Sequence, residues 1–283
     1  MRALPRKRLS GRDAQPFHRG EVRHQVSPAV GHLSCQPLEC AIMCGRYVTP
    51  DDRAMESYFH PGRHHWKAWI NRYNVGPSMP VPIVYMPHGE VLGDIARWGL
   101  IPTWWKKDAP PSMTFNARSE EAASKPTWRQ SMKALRCLMP AKGWYEWNEN
   151  EPVTTRSGRK GHQPYYFHSP GNEVVAIAGL WSLWQAPNGS AMLSCALLTK
   201  EAAGAQISEI HHRMPVVLDP MQFEAWLSPE SSATEVVAMI ARSRSDFVAH
   251  RVSTKVNNVR NESPDLIEEV PAHSHNLLQG RRP

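Results

Sequence analysis

Residues 135–147 read LRCLMPAKGWYEW and hold two strand-forming runs, Leu135–Met139 and Trp144–Trp147, with only a short gap between them. Outward from this pair, similar runs occupy Val81–Met86, Val91–Trp98, Tyr165–His168, Val174–Leu180, Met192–Leu198, Val216–Leu218 and Phe247–Val252. Helical patterning is expected over Asp51–Phe59, with Thr49 or Asp51 as its cap, and over Ala117–Ser124, Thr127–Lys133, Met221–Trp226 and Thr234–Ser243. Strands and helices do not alternate regularly and many gaps between strands are short. That pattern predicts an α+β domain with a mainly antiparallel, barrel-like β core flanked by helices. The segment Asn148–His162 is charged, contains glycine and has no period, so it reads as an exposed hairpin loop.

The chain has 283 residues and a formal net charge of +7. Residues 1–42 hold seven Lys/Arg against three Asp/Glu, so the remaining residues carry only +3. The core therefore has a mild basic bias, which by itself fits nucleic-acid binding and plain solubility equally well. No apolar run is long enough for a membrane helix, and no GxGxxG or GxxxxGK[ST] phosphate loop occurs. Five scattered cysteines, an odd number in a chain of this length, point to a reducing compartment. Cys35, Cys40 and Cys44 with His32 lack a second paired set, so no metal site is assigned and no cofactor is expected.

Four segments carry candidate chemistry: MCGRY (43–47), FNARSE (115–120), GWYEW (143–147) and IHHRMPVVL (210–218). Cys44 alone reads as a small buried hydrophobe. Glu146 lies between Tyr145 and Trp147. It is either a carboxylate held against apolar surface, where desolvation raises its pKa and suits it to proton transfer, or an outward strand residue. His211 has the near-neutral titration of a proton shuttle, although a lone histidine is more often structural. Asn116 reads as a hydrogen-bonding residue or as a helix N-cap.

Together with YNVGP (73–77), WGLIPTWW (98–105) and VNNVRN (256–261), these segments resemble the SRAP family, named for SOS response-associated peptidase, from Met43 to about Ile267. The resemblance implies a single SRAP-type domain over 43–270. Residues 1–42 are then a disordered extension or follow a misassigned start, and 271–283 form a disordered tail. It also implies that Cys44 becomes the N-terminus, whereas 43 residues precede it in this sequence. The partner implied is single-stranded or junction DNA bearing abasic sites, met by a monomer in the bacterial cytoplasm with the nucleoid, or in a eukaryotic nucleus.

By the same resemblance Cys44, Asn116, Glu146 and His211 are catalytic. Arg46 and Arg118 approach the DNA backbone, and Tyr73, Asn74, Pro77, Trp104 and Trp105 shape the DNA groove, although one of the tryptophans has nearly equal standing as core. Gly76 stands where alanine is common in the family, and the neighbouring His212 receives no role. A free α-amine with pKa about 7.7–8.0 is substantially unprotonated near neutrality, so it condenses with the open sugar's aldehyde. The thiol of the same residue then closes a five-membered thiazolidine without a further encounter. Two other readings compete: a cysteine peptidase using Cys44, His211 and Glu146 on its own N-terminal extension, and a non-catalytic reader of modified bases.

Overall fold

Five strands close on themselves in the computed structural model, whose described residues are 44–154, 158 and 160–271. In chain order the elements are β1 (Arg46–Thr49), α1 (Asp52–Phe59), β2 (Arg63–His64), β3 (Arg72–Val75), β4 (Pro80–Tyr85), β5 (Leu92–Trp98), β6 (Asn116–Arg118), α2 (Ser119–Ala122), α3 (Arg129–Ala134) and β7 (Arg136–Ala141). They continue with β8 (Gly143–Thr154), β9 (Lys160–His168), β10 (Val175–Gln185), β11 (Ala191–Glu201), α4 (Ala205–Ile210), β12 (Arg213–Pro215), β13 (Val217–Leu218), α5 (Phe223–Leu227), α6 (Ala233–Ala241) and β14 (Val248–Arg251). The ring runs β11-β10-β7-β4-β5 through antiparallel neighbours, and a parallel contact of Ser194 and Cys195 with Arg97 and Trp98 returns it to β11. A second sheet, β14-β9-β8-β1-β3, is antiparallel throughout. The α+β, barrel-like expectation describes this architecture.

Closure explains why β10, VAIAGLWSLWQ, is buried along most of its length. Val175, Ile177 and Trp181 face the barrel interior with Ile83, Trp98 and Cys195. Ala176, Ala178 and Leu180 face outward, where Trp226 of α5 and Val236 and Met239 of α6 cover them. With both faces covered, the strand reads as a nearly continuous apolar run, although its neighbours are antiparallel.

Several local expectations change on contact with the tertiary structure. Asp51 is the cap of α1, accepting from Ala54 N–H at 2.9 Å, while the Thr49 hydroxyl accepts from Trp69 Nε1–H and Arg72 N–H. The expected helix from Ala117 begins as strand, because β11 recruits residues 116–118 in parallel and leaves only Ser119–Ala122 helical. Asn116 is therefore no N-cap; Arg118 holds that position. Much of the expected loop 148–162 is paired. After a bulge between Asn148 and Pro152, pairs Pro152–His162, Val153–Gly161 and Thr154–Lys160 extend the β8–β9 arm, and Val153 and Thr154 supply the strand propensity. Gly143 opens β8 where a Cβ would lie 2.2 Å from the Phe167 carbonyl oxygen, so only glycine permits that approach. The expected extension 1–42, the tail from 272, and Cys35 and Cys40 lie outside the described residues.

Candidate active site

Cys44 and Glu146 come from the second sheet. β1 and β8 pair with Arg46 opposite Tyr145, and extending that register one step outward brings the start of β1 beside Glu146. The Cys44 N–H donates to Glu146 Oε1 at 2.7 Å, and the thiol lies beside the same carboxyl. Cys44 adopts φ = 46°, a left-handed conformation rare for a residue with a side chain.

Asn116 and His211 come from the barrel. Asn116 lies opposite Leu197 of β11, and its Nδ2 donates to the Cys44 carbonyl at 3.4 Å. His211 ends α4, its N–H bonded to Ile207 O, just before β12 joins the other side of β11. Its Nε2 stands 3.9 Å from Glu146 Oε2. The four residues thus meet at the seam between the two sheets, from sequence positions 44, 116, 146 and 211.

Burial dominates the electrostatics. Cys44 and Glu146 are each 1% exposed and His211 is 7% exposed. Desolvation pushes Glu146 up to about 8, against the Cys44 N–H and thiol beside it, which favour its charged form. Desolvation likewise raises the Cys44 thiol well above its ordinary range, with the adjacent Glu146 adding to the effect, and it lowers His211. Near neutrality the carboxyl is mostly protonated and the imidazole neutral, so their 3.9 Å approach is not an ion pair and is too long for a hydrogen bond. His211 Nδ1 lies 3.1 Å from both the carbonyl oxygen and the amide nitrogen of Arg213. The Arg213 carbonyl can therefore accept from Nδ1–H, or the Arg213 N–H donate to bare Nδ1, so either neutral tautomer keeps a partner.

The residues expected at a DNA groove separate into two groups. Arg118 is exposed, Trp104 is 48% exposed, and Pro77 and Tyr73 are partly buried. Trp105 braces its own loop, donating from Nε1 to Ala109 O and accepting from Trp184 Nε1 at its carbonyl, both at 2.8 Å. Asn74 and Arg46 turn inward. Asn74 Nδ2 donates to the carbonyls of Val256, Asn258 and Asn261, and Oδ1 accepts from Arg46 Nη1, which also donates to Val256 O. These two hold the 256–261 segment and, in this arrangement, offer no free polar atom of Asn74 to a nucleic acid. Sequence reading missed Arg213 and Glu120, which pair at 2.8 and 2.9 Å beside the site. The available signal was an arginine inside the apolar run RMPVVL, which requires a carboxylate partner once buried.

Among the described residues, no group of three or more His, Cys, Asp or Glu is arranged to hold a metal, and no helix is long and apolar enough to cross a membrane. The fold is the α+β, barrel-like one expected of the SRAP class. A family model described as SOS response associated peptidase matches residues 43–259, and the chain belongs to that family. It is 31% identical over 236 residues to the abasic site processing protein YoqW of Bacillus subtilis (strain 168), covering 80% of this chain and 99% of the relative. It is 30% identical over 247 residues to the abasic site processing protein HMCES of Gallus gallus, covering 74% and 71%. A solved structure of a protein from Bacteroides thetaiotaomicron matches in fold with a TM-score of 0.66 at 22% identity, covering 81% of this chain and all of that one. Another, from Bordetella bronchiseptica, matches with a TM-score of 0.61 at 25% identity, covering 74% and 100%.

Proposed function

We propose that this protein processes abasic sites in DNA, capturing the open sugar's aldehyde with the α-amine and thiol of Cys44 once that residue is the N-terminus. The observation that carries the reading is the Cys44 nitrogen on one oxygen of Glu146, with the imidazole of His211 facing the other. The amine adds to the aldehyde carbon, and a mostly protonated Glu146 is suited to give its proton to the carbinolamine oxygen, which leaves as water. The thiol then adds across the imine, sulfur to carbon and proton to nitrogen, and closes the thiazolidine. Asn116, near the Cys44 carbonyl, steadies the nucleophile, and His211 serves proton delivery to the sugar oxygen when the link reopens. Single-stranded or junction DNA is the partner, met by a monomer through Arg118, Trp104 and Pro77, wherever the cell keeps its DNA. The chain is incubated with an abasic oligonucleotide: a heat- and SDS-stable shifted band supports the reading, and its absence with a free Cys44 overturns it.

A second reading concerns the residues ahead of Cys44, and its support is the left-handed φ of 46° together with the Cys44 N–H on Glu146. Attack of the thiol on the Met43 carbonyl carbon would transfer the acyl group to sulfur, with Glu146 protonating the departing nitrogen. Water would then hydrolyse the thioester to a Met43 carboxylate and a free Cys44 amine and thiol. Intact mass of the purified native protein tests it. A Cys44→Ala chain that still loses residues 1–43 in purified form sinks self-cleavage.

A further inference from the structure

We infer that Glu120 is a positioning residue for His211: it fixes the guanidinium of Arg213, and the backbone N–H and carbonyl of Arg213 in turn hold the imidazole ring. This deepens the reading of the site given under Proposed function and rests on it. Arg213 opens β12 among the buried residues Met214, Val216 and Val217, and is itself 9% exposed. Its two terminal nitrogens meet the two oxygens of Glu120 at 2.8 and 2.9 Å, and Nη2 also donates to Thr199 O at 2.9 Å and Thr199 Oγ1 at 3.2 Å. A bidentate fork fixes orientation as well as distance, which a single point contact does not.

Thr199 occupies the central position. In β11 it lies opposite Arg118 of β6 on one side and Pro215 of β12 on the other. The fork therefore ties the first turn of α2, which directly follows the Asn116 strand, to the strand that directly follows His211. The ring depends on the same anchor, since Nδ1 lies 3.1 Å from the nitrogen and the oxygen of Arg213 and Nε2 faces Glu146. Removing the Glu120 charge leaves a largely buried guanidinium uncompensated a few bonds from that ring, and the fork reorganises to find other acceptors. Glu121 supplies an internal control. It is the next carboxylate of the same helix and no more exposed than Glu120, yet it pairs with Lys125 at 2.7 Å and not with Arg213.

The test compares the full chain with its Glu120→Gln and Glu121→Gln variants. Imidazole nitrogen NMR of His211 needs no DNA. Glu120→Gln should move the His211 shifts toward the averaged values of a mobile ring, and Glu121→Gln should leave them in place. With an abasic oligonucleotide, Glu120→Gln should slow release of the cross-link by about 10–100-fold, the scale of a small misplacement of a catalytic group. In a His211→Ala background it should add no further loss, because the two substitutions then act through one group. Unmoved His211 shifts in Glu120→Gln, or an equal loss in both backgrounds, overturn the inference. Should Glu120→Gln fail to fold, Arg213→Lys keeps the charge but breaks the fork, and the same outcomes decide. A parent chain with free Cys44 that forms no cross-link counts against the proposed function, while the NMR comparison still judges the positioning role.

Discussion

Two buried polar clusters lie on either side of β1, and they resolve burial in opposite ways. Around Asn74, fully buried, both amide atoms are engaged: three carbonyls receive Nδ2 at 3.0–3.2 Å and Arg46 supplies Oδ1 at 3.1 Å. Around Glu146, equally buried, Cys44 N–H approaches one oxygen closely, but His211 stands off at 3.9 Å and the Asn116–Cys44 bond is long at 3.4 Å. Saturated hydrogen bonding fixes chain to chain. The looser cluster keeps a carboxyl near pKa 8 and a neutral imidazole available for proton traffic.

The largest effect separating the clusters should come from Cys44→Ala. It removes the heat-stable product altogether and leaves a transient imine that borohydride traps; an unchanged stable band would break the comparison. Glu146→Gln preserves shape and removes proton transfer, so cross-linking should slow by about 10²–10⁴-fold in a time course with an abasic oligonucleotide. Asn74→Ala should do the reverse, costing about 2–4 kcal/mol in chemical denaturation by stranding the 256–261 carbonyls and Arg46. The folded fraction of that variant should keep its cross-linking rate.

The pH dependence sharpens the contrast. Glu146 has a folded pKa of about 8 against an ordinary 4.5, so it favours the folded state fully below pH 4.5 and loses that contribution as pH rises toward 8. Measured across that window, the melting temperature of the parent chain should fall relative to Glu146→Gln, and a constant difference would show that the carboxyl is not desolvated as described. The smallest effect belongs to Arg118→Ala, which should lower the slope of log affinity against log salt by about one. Arg46→Ala, by contrast, should reduce stability rather than the salt slope, because its guanidinium is engaged with Asn74 and Val256.

What was legible in the sequence follows from how local each determinant is. The strand holding Glu146 could be read from Trp144, Tyr145 and Trp147, and the mixture of short strands and helices conveyed the α+β class. The contact of Glu146 with Cys44 spans 102 positions and depends on the β1–β8 register, which no local pattern encodes. Ala117 and Arg118 looked helical because Ser, Glu and Ala follow, but the edge of β11 outweighs that propensity. Arg46 and Asn74 were expected at the nucleic acid because one stands two residues from Cys44 and the other lies in a segment that shapes the DNA groove in the family. Their hydrogen bonds to the 256–261 segment, 182–210 positions away, have no local signal in the sequence.

That fastening moves the effective end of the domain. The match to the family model ends at 259, yet Asn261 gives its carbonyl to Asn74, Glu262 receives Arg72 and the Tyr73 N–H, and Leu266 is fully buried against Val48 and Tyr145. A premature stop codon between 260 and 266 would spare every residue of the candidate active site. It would still release β3 from its outer support, and with it the neighbour of the strand that carries Cys44. Such alleles should look like loss of the active site while its coding sequence remains intact.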